Sequence, residues 1–158
     1  MLLLIEYIMT IYIKNKKIGL KYEILDKYEA GIKLLGFEVK SIQNKKGSLD
    51  GSHISIRGGE AILFNCNIPP YQPNNTPENY DPERNRTLLL NKKEIEKLAL
   101  KEEQKGLTII PISMYNNKRN IKVEIAIVRG KKKYDHREDI KKKDMKRDSD
   151  RELKGSLN

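Results

Sequence analysis

The chain has 158 residues, and 37% of them are apolar, which is enough for one modest core but not for two full domains. Lysine and arginine number 32 against 22 acidic residues, so the net charge of +10 favours a polyanionic partner, with nucleic acid first and a merely lysine-rich surface as the alternative. The single cysteine, Cys66, excludes an internal disulfide and a cysteine-built zinc site, and it indicates a reducing, cytoplasmic compartment.

The amino-terminal segment is apolar without being a convincing targeting signal. It is too short to span a bilayer, and it lacks the basic start and small-residue cleavage site of a signal peptide. One hypothesis is that translation starts at Met9 rather than at Met1. We therefore interpret residues 1–14 as an N-terminal extension, and residues 15–17 as a short basic arm.

The spacing of the apolar residues predicts a strand followed by a helix. Apolar residues at every second position, from Tyr28 through Ala30 and Ile32, predict a long half-buried strand. The spacing then lengthens to a helical one, which predicts a short helix over residues 36–43. The side of this helix that we expect to be exposed carries Glu38, Lys40 and Ser41.

A hairpin follows, because Gly58-Gly59 supplies the positive φ angles that a tight turn between strands requires. Its strands cover residues 53–57 and 60–68. We expect Cys66 to fill the core and His53 to face solvent. The apolar face of the hairpin is expected to consist of Ile54, Ile56, Ile62, Phe64, Cys66 and Ile68.

Residues 69–86 contain five of the six prolines and predict a long irregular loop, of a length that is usually functional or mobile. Beyond it, Asn91 stands three residues before Glu94, a pairing typical of a helix start. Leu98 and its neighbours form an inner stripe, and Gly106 is expected to end that helix.

Two more strands are predicted over residues 107–115 and 121–128, the second from the strict alternation that begins at Ile121. We expect local strand pairing to dominate. The predicted fold is mainly β: a small antiparallel barrel of about six strands, similar to an oligonucleotide-binding fold, with two or three appended helices. Its body spans residues 15–129.

Residues 130–158 form a basic tail in which Ile140, Met145 and Leu153 define no continuous apolar stripe. Opposite charges four residues apart stabilise a helix by only a few tenths of a kcal/mol each. We expect the tail to be disordered when free and to become helical on a polyanionic surface.

The sequence does not contain a constellation of residues typical of catalysis. There are two histidines: one lies on a strand, where we expect it to be exposed, and the other lies in the tail. We expect Cys66 to be buried. We expect no enzyme activity, no cofactor and no metal site. Basic residues interleaved with tyrosines instead favour RNA binding.

Several motifs together resemble the small protein B, or SsrA-binding protein, family, which delivers transfer-messenger RNA (tmRNA) to stalled bacterial ribosomes. The resemblance covers residues 15–153 and is specific through the order and spacing of its motifs. They are Tyr28-Glu29-Ala30-Gly31-Ile32, Gly36-Phe37-Glu38-Val39-Lys40-Ser41, Asp81-Pro82-Glu83-Arg84, Leu88-Leu89-Leu90-Asn91, Val123-Glu124-Ile125, Gly130-Lys131-Lys132 and Tyr134-Asp135-His136-Arg137.

The resemblance implies a barrel that binds the tRNA-like domain of tmRNA and positions it in the vacant A site, as trans-translation requires. It implies RNA contacts at Asn15, Lys16, Lys17, Glu29, Lys40, Leu89, Asn91 and Lys122. Basic and aromatic neighbours complete the expected RNA-binding set: Tyr22, Arg84, Arg86, Arg129, Lys131 and Lys132.

For the tail, the resemblance implies that it probes the decoding centre and the empty mRNA channel, contacting small-subunit RNA. Elongation factor Tu would be an indirect partner through aminoacyl-tmRNA, and no membrane is involved. The implied ribosome-binding residues are Lys133, Tyr134, Asp135, His136, Arg137, Ile140, Lys141, Lys142 and Lys143.

Three positions depart from the family pattern: Leu20, Thr87 and Met145. The first replaces a usual histidine in the arm, and the second replaces a common basic residue after Arg86. Two alternatives stay open at this point, a general single-strand nucleic-acid-binding protein and a nuclease that uses His53.

Overall fold

Seven antiparallel strands and four α-helices make up the described part of the chain. The computed structural model describes residues 9–155, and for residues 133–136 it describes the backbone alone. The strands are β1 (Ile11–Lys14), β2 (Tyr22–Ile32), β3 (His53–Arg57), β4 (Glu60–Phe64), β5 (Arg86–Leu89), β6 (Leu107–Asn117) and β7 (Asn120–Gly130). The helices are α1 (Ile18–Lys21), α2 (Gly36–Gln43), α3 (Lys92–Glu103) and α4 (Lys133–Gly155), and a 3-10 turn covers Pro73–Asn75.

Six of the strands close into a ring. Its order is β6-β3-β4-β5-β2-β7, and β7 pairs back onto β6. β1 joins the edge of β6 that is also used by β3. The mainly β, antiparallel prediction is confirmed, but the expectation of mostly local pairing is wrong. β2 pairs with β7 from the far end of the chain, for example Glu29 opposite Glu124.

The core fills the inside of this ring. The alternation predicted for the last strand is confirmed, because Val123, Ile125 and Ile127 are all buried in the main apolar cluster. The opposite side of the same strand is also buried, since Ala126 and Val128 pack in a second cluster that includes Ile18 of α1. The sequence analysis did not anticipate α1, the single helical turn that covers this side.

The two predicted interior helices are confirmed. The bounds of α2 coincide with the predicted range, and Asn91 caps α3 by accepting a hydrogen bond from the Glu94 amide at 2.9 Å. Leu98 is fully buried beneath α3. Gly106 has a φ of +85° but lies in the turn that leads into β6, whereas α3 itself ends at Glu103.

The predicted apolar face of the hairpin is partly wrong. Ile54, Cys66 and Ile68 are buried as expected, but in β4 the buried residues are Ala61 and Leu63. The physical reason is a change of phase at Asn65, whose φ of +57° interrupts the extended chain after β4. Asparagine adopts this left-handed conformation more readily than most residues. Before Asn65 the odd-numbered residues of β4 point inward, and after it the even-numbered residues do. Ile62 and Phe64 therefore lie on the outer side.

The amino-terminal boundary also needs correction. Residues 11–14, which the sequence analysis assigned to an extension, form β1 and pair with Ser113, Met114 and Tyr115 of β6. Ile13 belongs to the main core. The folded body therefore begins at Ile11 rather than at residue 15. The choice between Met1 and Met9 concerns residues 1–8, which lie outside the described residues.

The tail is a helix along nearly its whole length. α4 has 23 residues, and its apolar side chains Ile140, Met145 and Leu153 are all exposed. Whether this helix persists in the free protein stays a prediction. Within residues 9–155, the structure has no helix both long enough and apolar enough to cross a membrane.

Candidate nucleic-acid interface

Three of the predicted RNA-contacting residues, Glu29, Leu89 and Lys122, lie together at one end of β2. Gly31 is paired with Leu89 of β5 on one side and with Lys122 of β7 on the other. Glu29 lies two residues earlier on the same side of β2. We call the surface made by Glu29, Gly31, Leu89 and Lys122 the strand face. Residues far apart in the chain meet there because β2 is the strand between β5 and β7.

The carboxylate of Glu29 is held in place by β6. The Tyr115 hydroxyl donates a hydrogen bond to one of its oxygens, and the Asn117 amide donates to the other at 3.2 Å. Burial, followed by the hydrogen bond to Glu29, raises the pKa of the Tyr115 phenol well above its usual value. Tyr115 therefore stays a donor at every physiological pH. An ionised carboxylate has about four acceptor sites, so Glu29 retains the capacity to accept further bonds from a ligand.

Leu89 is the apolar part of the strand face. Its side chain is 52% exposed and lies against Gly31, where an added Cβ would come within 3.1 Å of the Leu89 Cβ. Glycine at this position therefore lets the leucine lie across β2. A groove of about 360 Å³ opens beside it, bordered also by Val39 of α2 and by Lys122. The groove offers apolar and cationic groups within one short stretch of surface.

A second set of predicted residues lies at the opposite end of β2. Tyr22 pairs with Gly130, next to Arg129, and the Lys131 amide donates to the Lys21 carbonyl at 2.9 Å. The backbone amide of Asn15 donates to the Ile112 carbonyl at 2.8 Å. We call this region, which also contains Lys16, Lys17 and Lys132, the arm end.

The strand face and the arm end are well separated. Gly31 lies nine residue steps beyond Tyr22 along β2, and at about 3.3 Å per residue this amounts to roughly 30 Å. The predicted RNA-binding set is therefore divided between two surfaces. A ligand that contacts both surfaces must extend over about that distance.

Charges at the arm end are partly engaged within the protein. The Lys17 ammonium is 2.7 Å from the Asp50 carboxylate, and this contact lowers the pKa of Asp50. The Lys131 ammonium donates to the Gly19 carbonyl at 2.9 Å and also to Asp139 of α4. Lys131 therefore joins the body to the base of the tail helix.

The expectation that Glu38 and Ser41 are exposed is wrong. Both are fully buried, and Glu38 forms ion pairs with Arg84 at 2.7 Å and with Arg86 at 2.9 Å. The Tyr80 hydroxyl donates to the same carboxylate at 3.0 Å. Burial alone would raise the pKa of Glu38, but the hydrogen bonds from Arg84, the Leu35 amide and Arg86 lower it to about 2.

This burial corrects the role expected for one predicted RNA-binding residue. Arg86 has 0% of its side chain exposed, and its guanidinium also donates to the Cys66 carbonyl at 2.6 Å and to the Pro82 carbonyl at 3.0 Å. It therefore cannot reach a phosphate in this structure. Arg84 keeps 31% of its side chain exposed, yet two of its guanidinium nitrogens donate to the Glu38 carboxylate.

Two further predicted contacts lie near α2 and α3. Lys40 is exposed on α2, with its ammonium 5.8 Å from the centre of the Tyr71 ring. Asn91 follows the strand face in sequence, but its side-chain oxygen is already engaged as the cap of α3. Its side chain therefore has a structural role that does not require RNA.

The predicted tail residues Arg137, Ile140, Lys141, Lys142 and Lys143 are exposed on α4. The side chains of Lys133, Tyr134, Asp135 and His136 lie outside the described part. Elsewhere, the His53 ring is half-buried and stacks on Phe64 with 5.3 Å between centroids, rather than facing solvent alone. The described residues contain no group of three or more His, Cys, Asp or Glu side chains that could hold a metal ion.

Sequence reasoning did not identify the two residues that orient Glu29. The predicted strand ends at Tyr115, but β6 extends to Asn117, which places the two residues on one face of the strand. Their spacing was visible in the sequence, but the pairing that brings β6 and β2 to either side of β7 was not.

Comparison with known proteins identifies the family of the chain. The family model described as SmpB protein matches residues 12–155. An SsrA-binding protein of Thermosipho melanesiensis is 51% identical over 93% of this chain and 100% of its own length, and one of Aquifex aeolicus is 48% identical over 91% and 92%. A chain of the solved structure "tmRNA-SmpB: a journey to the center of the bacterial ribosome" is 44% identical, covers 77% of this chain and 85% of its own, and superimposes with a TM-score of 0.65. The chain thus belongs to the SmpB protein family.

Proposed function

We propose that this protein binds the tRNA-like domain of tmRNA and positions it in the vacant A site of stalled ribosomes, so that trans-translation can proceed. It acts in the cytoplasm by binding, without catalysing a reaction. The observation that carries the proposal is the strand face, where Glu29, Leu89 and Lys122 are brought together from three strands. The names of the similar SsrA-binding proteins and of the ribosome-bound relative support the same partner.

The groups on the strand face match the chemistry of folded RNA. The Glu29 carboxylate can accept hydrogen bonds from ribose hydroxyls or base amino groups, and the lysine can pair with a phosphate. Leu89 supplies an apolar surface for a base or a ribose. Hydrogen bonds to a charged group contribute about 1.5–3 kcal/mol, so a carboxylate oriented in advance by Tyr115 and Asn117 adds both affinity and selectivity.

The arm end would contact the same RNA at a distance. Asn15, Lys16, Lys17 and Tyr22 lie there, and a net charge of +10 attracts a polyanion over the whole surface. A folded RNA can span roughly 30 Å between the two surfaces and hold both in a fixed geometry. The names of the similar proteins favour tmRNA over the general single-strand alternative.

The tail would act on the ribosome after RNA capture. α4 carries its lysines exposed and packs little against the body, so it can enter an anionic channel without disturbing the core. In the empty mRNA channel, ribosomal phosphates would neutralise Lys141, Lys142 and Lys143 and stabilise the helix. The residues at the start of α4 would then lie near the decoding centre.

Binding measurements with a matched pair of variants test the strand face. Glu29→Arg should weaken binding of the full-length protein to tmRNA by about tenfold or more. The variant loses the carboxylate that accepts hydrogen bonds from the RNA, and the arginine that replaces it can only donate them. Glu96→Arg makes the same charge change at an exposed position of α3 and should stay within about twofold of the wild type. Equal affinity of the wild type for tmRNA and for an unstructured oligoribonucleotide would favour the general single-strand function instead.

Truncation tests the division between body and tail. A chain ending at Gly130 keeps all seven strands and should bind tmRNA almost normally. In a reconstituted translation system stalled on an mRNA without a stop codon, it should add no peptide tag. Normal tagging by the truncated chain would contradict the proposed role of α4.

A further inference from the structure

α2 separates the groove of the strand face from a second opening on its other side. Val39 borders the groove, whereas the next residue, Lys40, borders the second opening. This second opening has a volume of about 330 Å³ and is lined by Gly36, Phe37, Lys40, Tyr71, Gln72 and Asn75. We call it the α2 cleft. A strand of RNA that leaves the strand face past α2 would meet it next.

The aromatic walls of the α2 cleft are held by the buried ion cluster. Phe37 meets Tyr80 edge to face, with 4.7 Å between centroids, and the Tyr80 hydroxyl donates to both Glu38 and the Ile68 carbonyl. The Ser41 hydroxyl donates to the Pro69 carbonyl at 2.5 Å, two residues before Tyr71. The loop that carries Tyr71 is therefore tied to α2 before Tyr71 in the sequence, at Pro69, and after it, at Tyr80.

The polar groups of the cleft complement one nucleotide. The Lys40 ammonium lies 5.8 Å from the centre of the Tyr71 ring, where it could pair with the phosphate of a nucleotide whose base stacks on the ring. The Asn75 amide donates to the Gln72 side-chain oxygen at 2.8 Å. This bond holds the two amides together at the mouth, and they retain a donor group on Gln72 and an acceptor oxygen on Asn75 for the edge of a base.

Half-buried aromatic rings beside an exposed lysine and two amides are the combination that binds an unpaired nucleotide. A base inside a duplex could not reach Tyr71, because its faces are covered by its neighbours. We propose that the α2 cleft binds one unstacked nucleotide of the bound RNA, with its base on Tyr71 and its phosphate on Lys40. This inference rests on the proposed function, since it assigns a second contact to the same RNA.

Affinity for tmRNA tests the stacking. Tyr71→Ala should weaken binding by about tenfold. Stacking of one base on an aromatic ring contributes about 1–3 kcal/mol, and about 1.4 kcal/mol corresponds to a tenfold change in affinity. Tyr71→Phe keeps the ring and should stay within about twofold. Asn74→Ala is the control for the loop, since Asn74 is exposed and does not line the cleft.

Three further measurements separate stacking from a structural effect. Lys40→Gln should lower the slope of log affinity against log salt by about one, as expected for the loss of a single phosphate contact. Ultraviolet cross-linking followed by mass spectrometry should find one nucleotide attached to Tyr71. Thermal unfolding of Tyr71→Ala should match that of the wild type.

The outcomes distinguish this inference from the proposed function. If Glu29→Arg loses tmRNA affinity while Tyr71→Ala retains it, the nucleotide site is wrong and the strand face stands. If Tyr71→Ala binds tmRNA normally but associates poorly with ribosomes, the cleft binds a ribosomal component and the inference is also wrong. If the wild type does not bind tmRNA, the proposed function fails before the cleft is tested.

Discussion

Replacing Glu38 by glutamine should destabilise the protein strongly, although α2 lies on the surface of the ring. The carboxylate accepts bonds from Arg84, Arg86, Tyr80 and the Leu35 amide, and its residue is 0% exposed. Glutamine has nearly the same shape but no charge. Glu38→Gln therefore leaves the fully buried Arg86 guanidinium without its counter-charge.

The expected magnitude follows from two independent arguments. Breaking a buried ion pair on one side costs about 3–5 kcal/mol. The pKa of Glu38, lowered from 4.5 to about 2, corresponds to about 3 kcal/mol by linkage. For a chain of this size, a loss of that order lowers Tm by roughly 10 °C.

Urea unfolding at pH 7 measures the effect on the free energy of unfolding. Glu83→Gln, at an exposed position of the loop that carries Arg84, should change that energy by less than about 0.5 kcal/mol. The double variant Glu38→Gln with Arg86→Met removes both charges and should recover part of the loss. A Glu38→Gln protein within about 1 kcal/mol of the wild type would refute the reasoning.

The same carboxylate predicts a pH dependence. Because its folded pKa lies below its unfolded pKa, its stabilisation is complete above about pH 4.5 and is lost as the pH falls towards about 2. The difference in unfolding free energy between wild type and Glu38→Gln should therefore shrink across that window. A difference that stays constant from pH 6 to pH 2.5 would contradict the linkage.

Three further predictions concern stability and reactivity. Gly47→Ala should lower the free energy of unfolding in urea by about 1–3 kcal/mol, since Gly47 has a φ of +144° and an added Cβ would lie 2.7 Å from Ile13 Cδ1. An unchanged unfolding midpoint would show that the loop relaxes freely. Asn91→Ala should lower the free energy of unfolding by about 1 kcal/mol, because the α3 cap is lost, whereas Asn91→Ser keeps a capping oxygen and should retain most of that energy. Equal stability of the alanine and serine variants would argue against the cap. The Cys66 thiol, whose pKa burial raises to about 11, should react with a disulfide reagent at pH 8 only after unfolding, so that rapid labelling of the native protein would count against its burial.

Much of the secondary structure was determined by local sequence. The bounds of α2, the Asn91 cap and the inward side of β7 follow from spacing and capping chemistry that act within a few residues. The family motifs also pointed to Glu29, Leu89 and Lys122 as binding residues. Local pattern alone, however, does not state which strands are neighbours.

Tertiary structure decided the features that depend on distant residues. Arg86 and Glu38 were both assigned to the surface, as lone charged residues usually are, yet each is buried because its partner lies on an element far away in the chain. The face of β4 changed at Asn65, since one residue with positive φ reverses the alternation that a periodic reading assumes. Likewise, the orientation of Glu29 by Tyr115 arises only when β2 and β6 flank β7. The sequence therefore determined which elements form, whereas contacts between elements far apart in the chain decided which charged side chains are buried and which stay exposed.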